Sequence, residues 1–310
     1  MSTPLRIATR GSPLALAQAH ETRDRLATAH PALAADGAIE IQTYRTTGDR
    51  QQSGPLTEIG GKGLFTKEIE EALLAKEAHI AVHSMKDMPT ELPDGLIMAA
   101  YLPREDPRDA LISHSAGSLD LLPLGATVGT ASLRRRAILL SMRPDLRITT
   151  LRGNVETRLR KVEDGEMDAT ILAAAGLSRL GLMDRARGAI DIDDMLPAVC
   201  QGAIGIECRA DDSTTRELLA AIHHADTGHR VTAERGFLAA LDGSCRTPIG
   251  GLATLDGDIL SLRGLIVRPD GSETIAAQSD GALADAETIG RSLGDTLKSR
   301  AGPGFFDDPS

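Results

Sequence analysis

Over the first two hundred residues, short apolar runs alternate with stretches whose apolar positions recur every three to four residues. Leu5 to Thr9 is the first run, and Arg10-Gly11-Ser12-Pro13 ends it. Ser12 as N-cap and Pro13 at the first helical position predict a helix to about Ala29. A second strand is expected over Ile39 to Thr46. From Gly48 to Gly63, GDRQQSGPLTEIGGKG has no periodicity and is rich in Gly and polar residues, which predicts a lid or a disordered loop. Phe65 to Lys76 sets Phe65, Ile69, Ala72 and Leu73 on one helical face. Strands follow at Ile80 to Met85, ended by Lys86-Asp87-Met88-Pro89, and at Leu96 to Ala100.

The proline-bracketed segment Pro103 to Arg108 reads as a domain crossing. Beyond it the alternation resumes: strands near Ala110–Ser113 and Thr127–Thr130, a helix over Leu133–Met142, a strand at Leu146–Leu151, a helix over Val155–Glu163 and a strand at Ala169–Ala173. The run AAAGLSRLGL is expected to turn on Gly176. A second crossing near Leu196 to Gly202 would return the chain, as the strand Ala203–Cys208, to the first domain, and two crossings form a hinge. Alternating strands and helices predict mostly parallel sheets, whose ligands bind beyond the carboxyl ends of the strands. From about Thr214 the pattern changes. Helices over Arg216–His224 and Val231–Leu241 precede short strands, with Ile259–Val267 and Thr274–Gln278 flanking the hairpin turn Pro269-Asp270-Gly271. A last helix covers Asp285–Arg300, so this part reads as a small α+β domain.

Composition narrows the picture. The 310 residues contain four Phe, two Tyr and no Trp, so the cores must be aliphatic. No apolar run is long enough to span a bilayer, and the amino terminus lacks the basic-then-apolar order of a secretory signal. Three cysteines without a CxxC pair fit a reducing cytoplasm. The eight histidines show no metal-ligand spacing, and His223, His224 and His229 read as a solvated helix end.

Charge is what singles out a site. Between Thr130 and Lys161 nine bases face two acids, a local +7 in a chain of net −10, so the remainder carries −17. Such polarisation attracts anions locally within a body that repels them. Arg134 and Arg135 fall in the first turn of a predicted helix, where the macrodipole disfavours cations, so an anion is expected beside them. Arg152-Gly153-Asn154 opens a second helix whose free N–H groups would face a ligand. Arg136, Arg143 and Arg160 read as ordinary surface arginines. Arg10, Ser12, Ser84, Lys86 and Asp87 all lie at strand ends, and Arg179 is expected near such an end in the second unit. Composition alone reads Asp87 as a turn aspartate or a partner of Lys86. Cys200 and Cys208 sit in apolar runs, as buried structural cysteines do. Cys245, beside Arg246 in the loop LDGSCRTPIGG, is the better candidate for a reactive thiolate.

The segments RIATRGSPLALAQA, GGKGLFTKEIE, AVHSMKDMPT, REDPRDAL, VGTASLRRRA, LRGNVETRL, AAAGLSRLGL, CQGAIGIE and AERGFLAALDGSCRTPIGG resemble, in order and over nearly the whole chain, the porphobilinogen deaminase (hydroxymethylbilane synthase) family. The resemblance implies two α/β domains like type-II periplasmic binding proteins, joined by a double-crossing hinge, and a small C-terminal α+β domain. The expected boundaries are 1–102 with 203–218, 103–202, and 219–310. It implies a cytoplasmic, monomeric transferase that condenses four porphobilinogen molecules head to tail, with loss of ammonia, and releases hydroxymethylbilane by hydrolysis for tetrapyrrole synthesis. The implied cofactor is a dipyrromethane fixed by a thioether to Cys245. Asp87 matches the catalytic aspartate, which reverses the reading from composition. Lys86, Ser84, Thr130, Ser132, Arg134 and Arg135 match cofactor-binding positions. Arg10, Ser12, Lys62, Phe65, Arg152, Arg158, Arg179 and Gln201 match substrate-binding positions. No metal is implied.

The chemistry agrees with that assignment. Each porphobilinogen adds two carboxylates, and arginine grips carboxylates in bidentate fashion without losing its charge. A carboxylate at Asp87 would stabilise the cation left when ammonia departs. Three departures from the family pattern stand out: Glu58 where Lys is common, Ala131 where Ser is common, and Cys200 where Gly is usual. A nucleic-acid-binding protein would also use arginines, but single strands are gripped by aromatic stacking, and no aromatic residue occurs between Tyr101 and Phe237. A membrane partner is not expected. The alternative reading is a module that binds a polycarboxylate reversibly without turnover. That reading leaves Cys245 unexplained.

Overall fold

The computed structural model describes residues 4–50, 66–243 and 247–307. Residues 4–50, 66–104 and 203–228 form one compact unit; residues 105–202, 229–243 and 247–307 form the other.

The first unit begins with β1 (Leu5–Arg10) and α1 (Pro13–Ala29), which starts where the sequence predicts. Ser12 Oγ accepts from Ala15 N at 3.3 Å and closes the helix start. β2 (Ile39–Tyr44) pairs in parallel with β1, from Leu5 opposite Ile39 to Arg10 opposite Tyr44. A short helix, α2 (Thr47–Arg50), then takes the first residues of the expected long loop; the rest of that loop lies outside the described residues. The amphipathic helix is α3 (Lys67–Leu74), shorter than predicted at both ends. β3 (Ile80–Ser84) runs into a 3₁₀ turn at Met85–Asp87, and β4 (Leu96–Tyr101) follows.

In the second unit come β5 (Asp109–Ser113), β6 (Thr127–Gly129), α4 (Leu133–Met142), β7 (Arg147–Thr149), α5 (Val155–Glu163), β8 (Ala169–Ala173) and α6 (Ala174–Arg179). The chain returns to the first unit as β9 (Ile204–Arg209) and α7 (Ser213–Ala220). α8 (Ala225–Ala240) leads to β10 (Ile249–Asp256), β11 (Ile259–Val267), β12 (Thr274–Ala282) and α9 (Ala286–Ala301).

The five-stranded sheet of the first unit has the order β2-β1-β3-β9-β4. β1 is parallel to β2 and β3, but β9 is antiparallel to both β3 and β4, so the expectation of a mostly parallel sheet is corrected to a mixed one. The reversal comes from β9, which follows the excursion of the chain through residues 105–202 rather than a helical crossover from a neighbouring strand. One sheet face buries Ile7, Ile80, Val82 and Ile206 against Ala19 and Leu26 of α1. The other packs Ala8 and Ala81 on Ile69 and Leu73 of α3.

In the second unit, the order β5-β8-β6-β7 is again mixed: β6 is parallel to β7 and β8, and β5 is antiparallel to β8. The strand expected over Leu146–Leu151 contracts to three residues because β7 is an edge with one short partner, while Leu146 and Leu151 turn into the interior. Gly176 does not make the expected turn. It lies inside α6, and the chain turns at Gly181, where φ is +68°. β10, β11 and β12 form an antiparallel meander. α8 and α9 approach so closely that a Cβ at Gly290 would lie 2.0 Å from the Ala233 carbonyl oxygen.

Candidate active site

Within the first unit, Arg10, Ser12, Gln18, His83, Ser84 and Asp87 are among the residues lining one pocket at the carboxyl ends of β1 and β3. The two strands are parallel, so their ends open on the same side, and a 3₁₀ turn then swings Asp87 back over them. Ser84 is held by Gln18, whose amide donates to Ser84 Oγ at 2.8 Å and whose carbonyl accepts from it at 3.0 Å. Asp87 and Lys86 are half-buried. Beneath them His83 Nε2 and Glu207 Oε2 lie 2.9 Å apart, both side chains buried. Burial pushes the nearby Glu70 carboxyl up from its ordinary value, and the Glu207 charge adds to that.

Within the second unit, the anion beside Arg134 and Arg135 belongs to the chain. Asp109, fully buried, accepts from Arg134 Nη2 and Arg135 Nη2, each at 2.7 Å. Arg134 Nη1 donates to the Leu196 carbonyl and Arg135 Nη1 to that of Ile171, both at 2.8 Å. Gln201, also buried, donates its amide to Asp109 Oδ1 and to the Pro107 carbonyl. Burial alone would raise the Asp109 carboxyl, but the two guanidiniums outweigh it and hold it well below the usual carboxylate range. One carboxylate against two guanidiniums leaves a net positive charge in the interior. The Nε atoms of both arginines are buried without a hydrogen-bond partner among the described residues.

The same holds for Nε and Nη2 of Arg152. This residue precedes Gly153, whose φ of +122° and 2.9 Å approach of a would-be Cβ to Thr157 admit only glycine without strain. Asn154 caps α5 by accepting from Thr157 N at 2.9 Å, as the sequence predicts. Arg158 Nε donates to the Gly153 carbonyl at 2.8 Å and Arg179 Nη2 to that of Gly202 at 3.0 Å. Ser132 caps α4, and Thr130 Oγ1 accepts from Ser132 N at 3.1 Å. Arg143, expected on the surface, instead pairs with Asp145 and reaches carbonyls of the 119–123 turn.

The structure thus brings Arg10, Ser12, Ser84 and Asp87 together in one unit and gathers Arg134, Arg135 and Gln201 on one buried carboxylate in the other. Lys62, Phe65, Glu58 and Cys245 lie outside the described residues. Cys200 and Cys208 are buried, as expected. Cys200 has a φ of +61°, the left-handed conformation that explains a preference for Gly at that position. Among the described residues no group of His, Cys, Asp and Glu is placed to hold a metal ion. None of their helices is long and apolar enough to cross a membrane. Sequence reasoning missed Gln18, His83 and Asp109. Gln18 did leave a signal, as a polar residue on the apolar face that carries Ala19, Thr22 and Leu26.

The family described as "Porphobilinogen deaminase, dipyromethane cofactor binding domain" matches residues 5–217, and "Porphobilinogen deaminase, C-terminal domain" matches residues 229–299. A porphobilinogen deaminase of Paracoccus denitrificans is 62% identical over 304 residues, covering 98% of this chain and 96% of its own. A chloroplastic one of Pisum sativum is 54% identical over 306 residues, covering 97% of this chain and 83% of its own. Among solved structures, a periplasmic substrate-binding protein of an ABC transporter from Coxiella burnetii aligns at TM-score 0.43 and 16% identity. That alignment covers 71% of this chain and 92% of the other, a likeness too slight to carry an argument. With both halves of the chain matched and identity sustained along its whole length, the chain belongs to the porphobilinogen deaminase family, transferases of tetrapyrrole synthesis that carry a dipyrromethane cofactor.

Proposed function

We propose that Asp87 is the catalytic carboxylate of this porphobilinogen deaminase, that Cys245 carries the dipyrromethane through a thioether, and that the arginines divide the carboxylate arms between them. The observation that carries the reading is the surplus of buried guanidinium donors: Nε of Arg134, Nε of Arg135, and Nε and Nη2 of Arg152. Buried donors without partners are costly, and carboxylates brought by a ligand would satisfy them. These donors fit a polycarboxylate such as the dipyrromethane, which when bound supplies the pyrrole carbon that is extended. Arg134 and Arg135, with Thr130, Ser132, Ser84 and Lys86, hold the cofactor's arms. Arg10, Ser12, Lys62, Arg152, Arg158 and Arg179 hold those of porphobilinogen, and Phe65 offers the substrate an apolar surface. Asp87 is the carboxylate that would stabilise the cation left by departing ammonia. The buried amide of Gln201, matched to a substrate-binding position, acts here through Asp109.

Three domains, with boundaries at 102/103, 202/203 and 218/219, are proposed on the support of three separate sheets. A cytoplasmic monomer without nucleic-acid or membrane partners fits the charge of −10 and the lack of aromatics among the arginines. The test is incubation with limiting porphobilinogen, followed by mass spectrometry of the protein and detection of hydroxymethylbilane. A ladder of one, two and three added units with release of product supports the reading. Reversible binding without any covalent ladder would leave only the binding-module alternative.

A further inference from the structure

In a site built to hold carboxylates, one buried carboxylate is already present. We propose that Asp109 is a positioning residue of the cofactor site, cancelling one of the two charges of Arg134 and Arg135 so that the pair takes a single external carboxylate. This rests on the reading that these arginines hold the cofactor. Asp109 opens β5, and its backbone is fixed by pairing with Ala173 of β8 and by the Ile190 N–H on its carbonyl. Its oxygens are divided: Oδ2 takes Arg134, while Oδ1 takes Arg135 and the Gln201 amide. Each guanidinium is locked a second time by a backbone carbonyl. On each, Nε is the nitrogen that has no partner among the described residues, and it is buried. Two fixed guanidiniums with a net charge of one suit one carboxylate arm. Without Asp109 the same pair would carry two uncompensated charges and would suit a compact dianion.

A purely structural clip would hold the helix to the strand and nothing more, so anion preference separates the two roles. The full chain bearing Cys245→Ala, which lacks the attachment thiol, is compared with and without Asp109→Asn. Urea midpoints are followed as sodium sulfate is added, against sodium chloride at matched ionic strength. The added variant should respond to sulfate at a concentration on the order of tenfold lower than its parent. Equal responses in both chains would overturn the proposal. If Asp109→Asn alone does not fold, Asp109→Asn/Arg135→Met restores the single net charge and should recover folding. Failure of the double variant to recover it also overturns the proposal. The intact mass of the unsubstituted chain keeps the two readings apart: no added pyrrole units there defeats the cofactor reading, whatever sulfate does.

Discussion

Arg152→Leu should make the cofactor-free chain more stable and the enzyme slower. Nε and Nη2 of Arg152 are buried and have no partner among the described residues, although the residue as a whole is half-buried. Each unpartnered buried donor costs ~1–3 kcal/mol of desolvation. Leucine removes both and keeps the aliphatic contacts, so a gain of about 1 kcal/mol or more is expected without ligand. With ligand the sign reverses, because one charge-assisted bond to a carboxylate contributes ~1.5–3 kcal/mol. Each elongation step should then slow by about tenfold to a hundredfold. Arg158→Leu is the control, since its Nε is already used on the Gly153 carbonyl at 2.8 Å; it should not stabilise. Stability is read as the urea midpoint in a Cys245→Ala background, and rate as the covalent ladder after limited substrate in the Cys245 chain. An Arg152→Leu chain that is less stable and elongates at the normal rate would refute the reasoning.

Asp87→Asn should nearly abolish turnover in a folded chain, whereas Asp87→Glu should keep a small residual rate, because it displaces the charge by one methylene; single-turnover rates check both. Burial pushes the Cys208 thiol up to about 11, so native protein at pH 8 should leave it unlabelled by iodoacetamide, and urea should expose it. Asp109 binds its proton at lower pH in the folded chain than in the unfolded one. Its contribution is therefore present above the ordinary value of 3.8 and lost as pH falls below it. Urea midpoints between pH 5 and 3 should fall more steeply for the parent than for Asp109→Asn.

What could be read from the sequence was what local chemistry decides. α4, α5, β8 and β11 lie where the residues predict, because Ser132 and Asn154 cap the helices from the adjacent position, β8 is a short, almost wholly apolar run, and β11 alternates buried apolar positions with less buried ones. The direction of β9 was not legible, since its partners β3 and β4 lie more than a hundred residues away. Asp109 was missed for the same reason. It looks like one acid among several in REDPRD, and its partners Arg134, Arg135 and Gln201 stand 25, 26 and 92 positions on. The first-turn arginines did signal an anion correctly, but one-dimensional reasoning had no means of finding that the chain supplies part of it. Charge clustering pointed to the site; contacts distant in sequence decide which arginines retain donors for a ligand.

The central claim is that this chain extends a covalent dipyrromethane fixed to Cys245. Intact-mass spectrometry of the purified full chain, beside Cys245→Ala, tests it most directly. The account predicts an excess equal to two linked pyrrole units on the unsubstituted chain, absent from Cys245→Ala and mapped to the peptide containing Cys245. An unmodified mass in a chain that turns over porphobilinogen, or the addition found on Cys200 or Cys208, would contradict it.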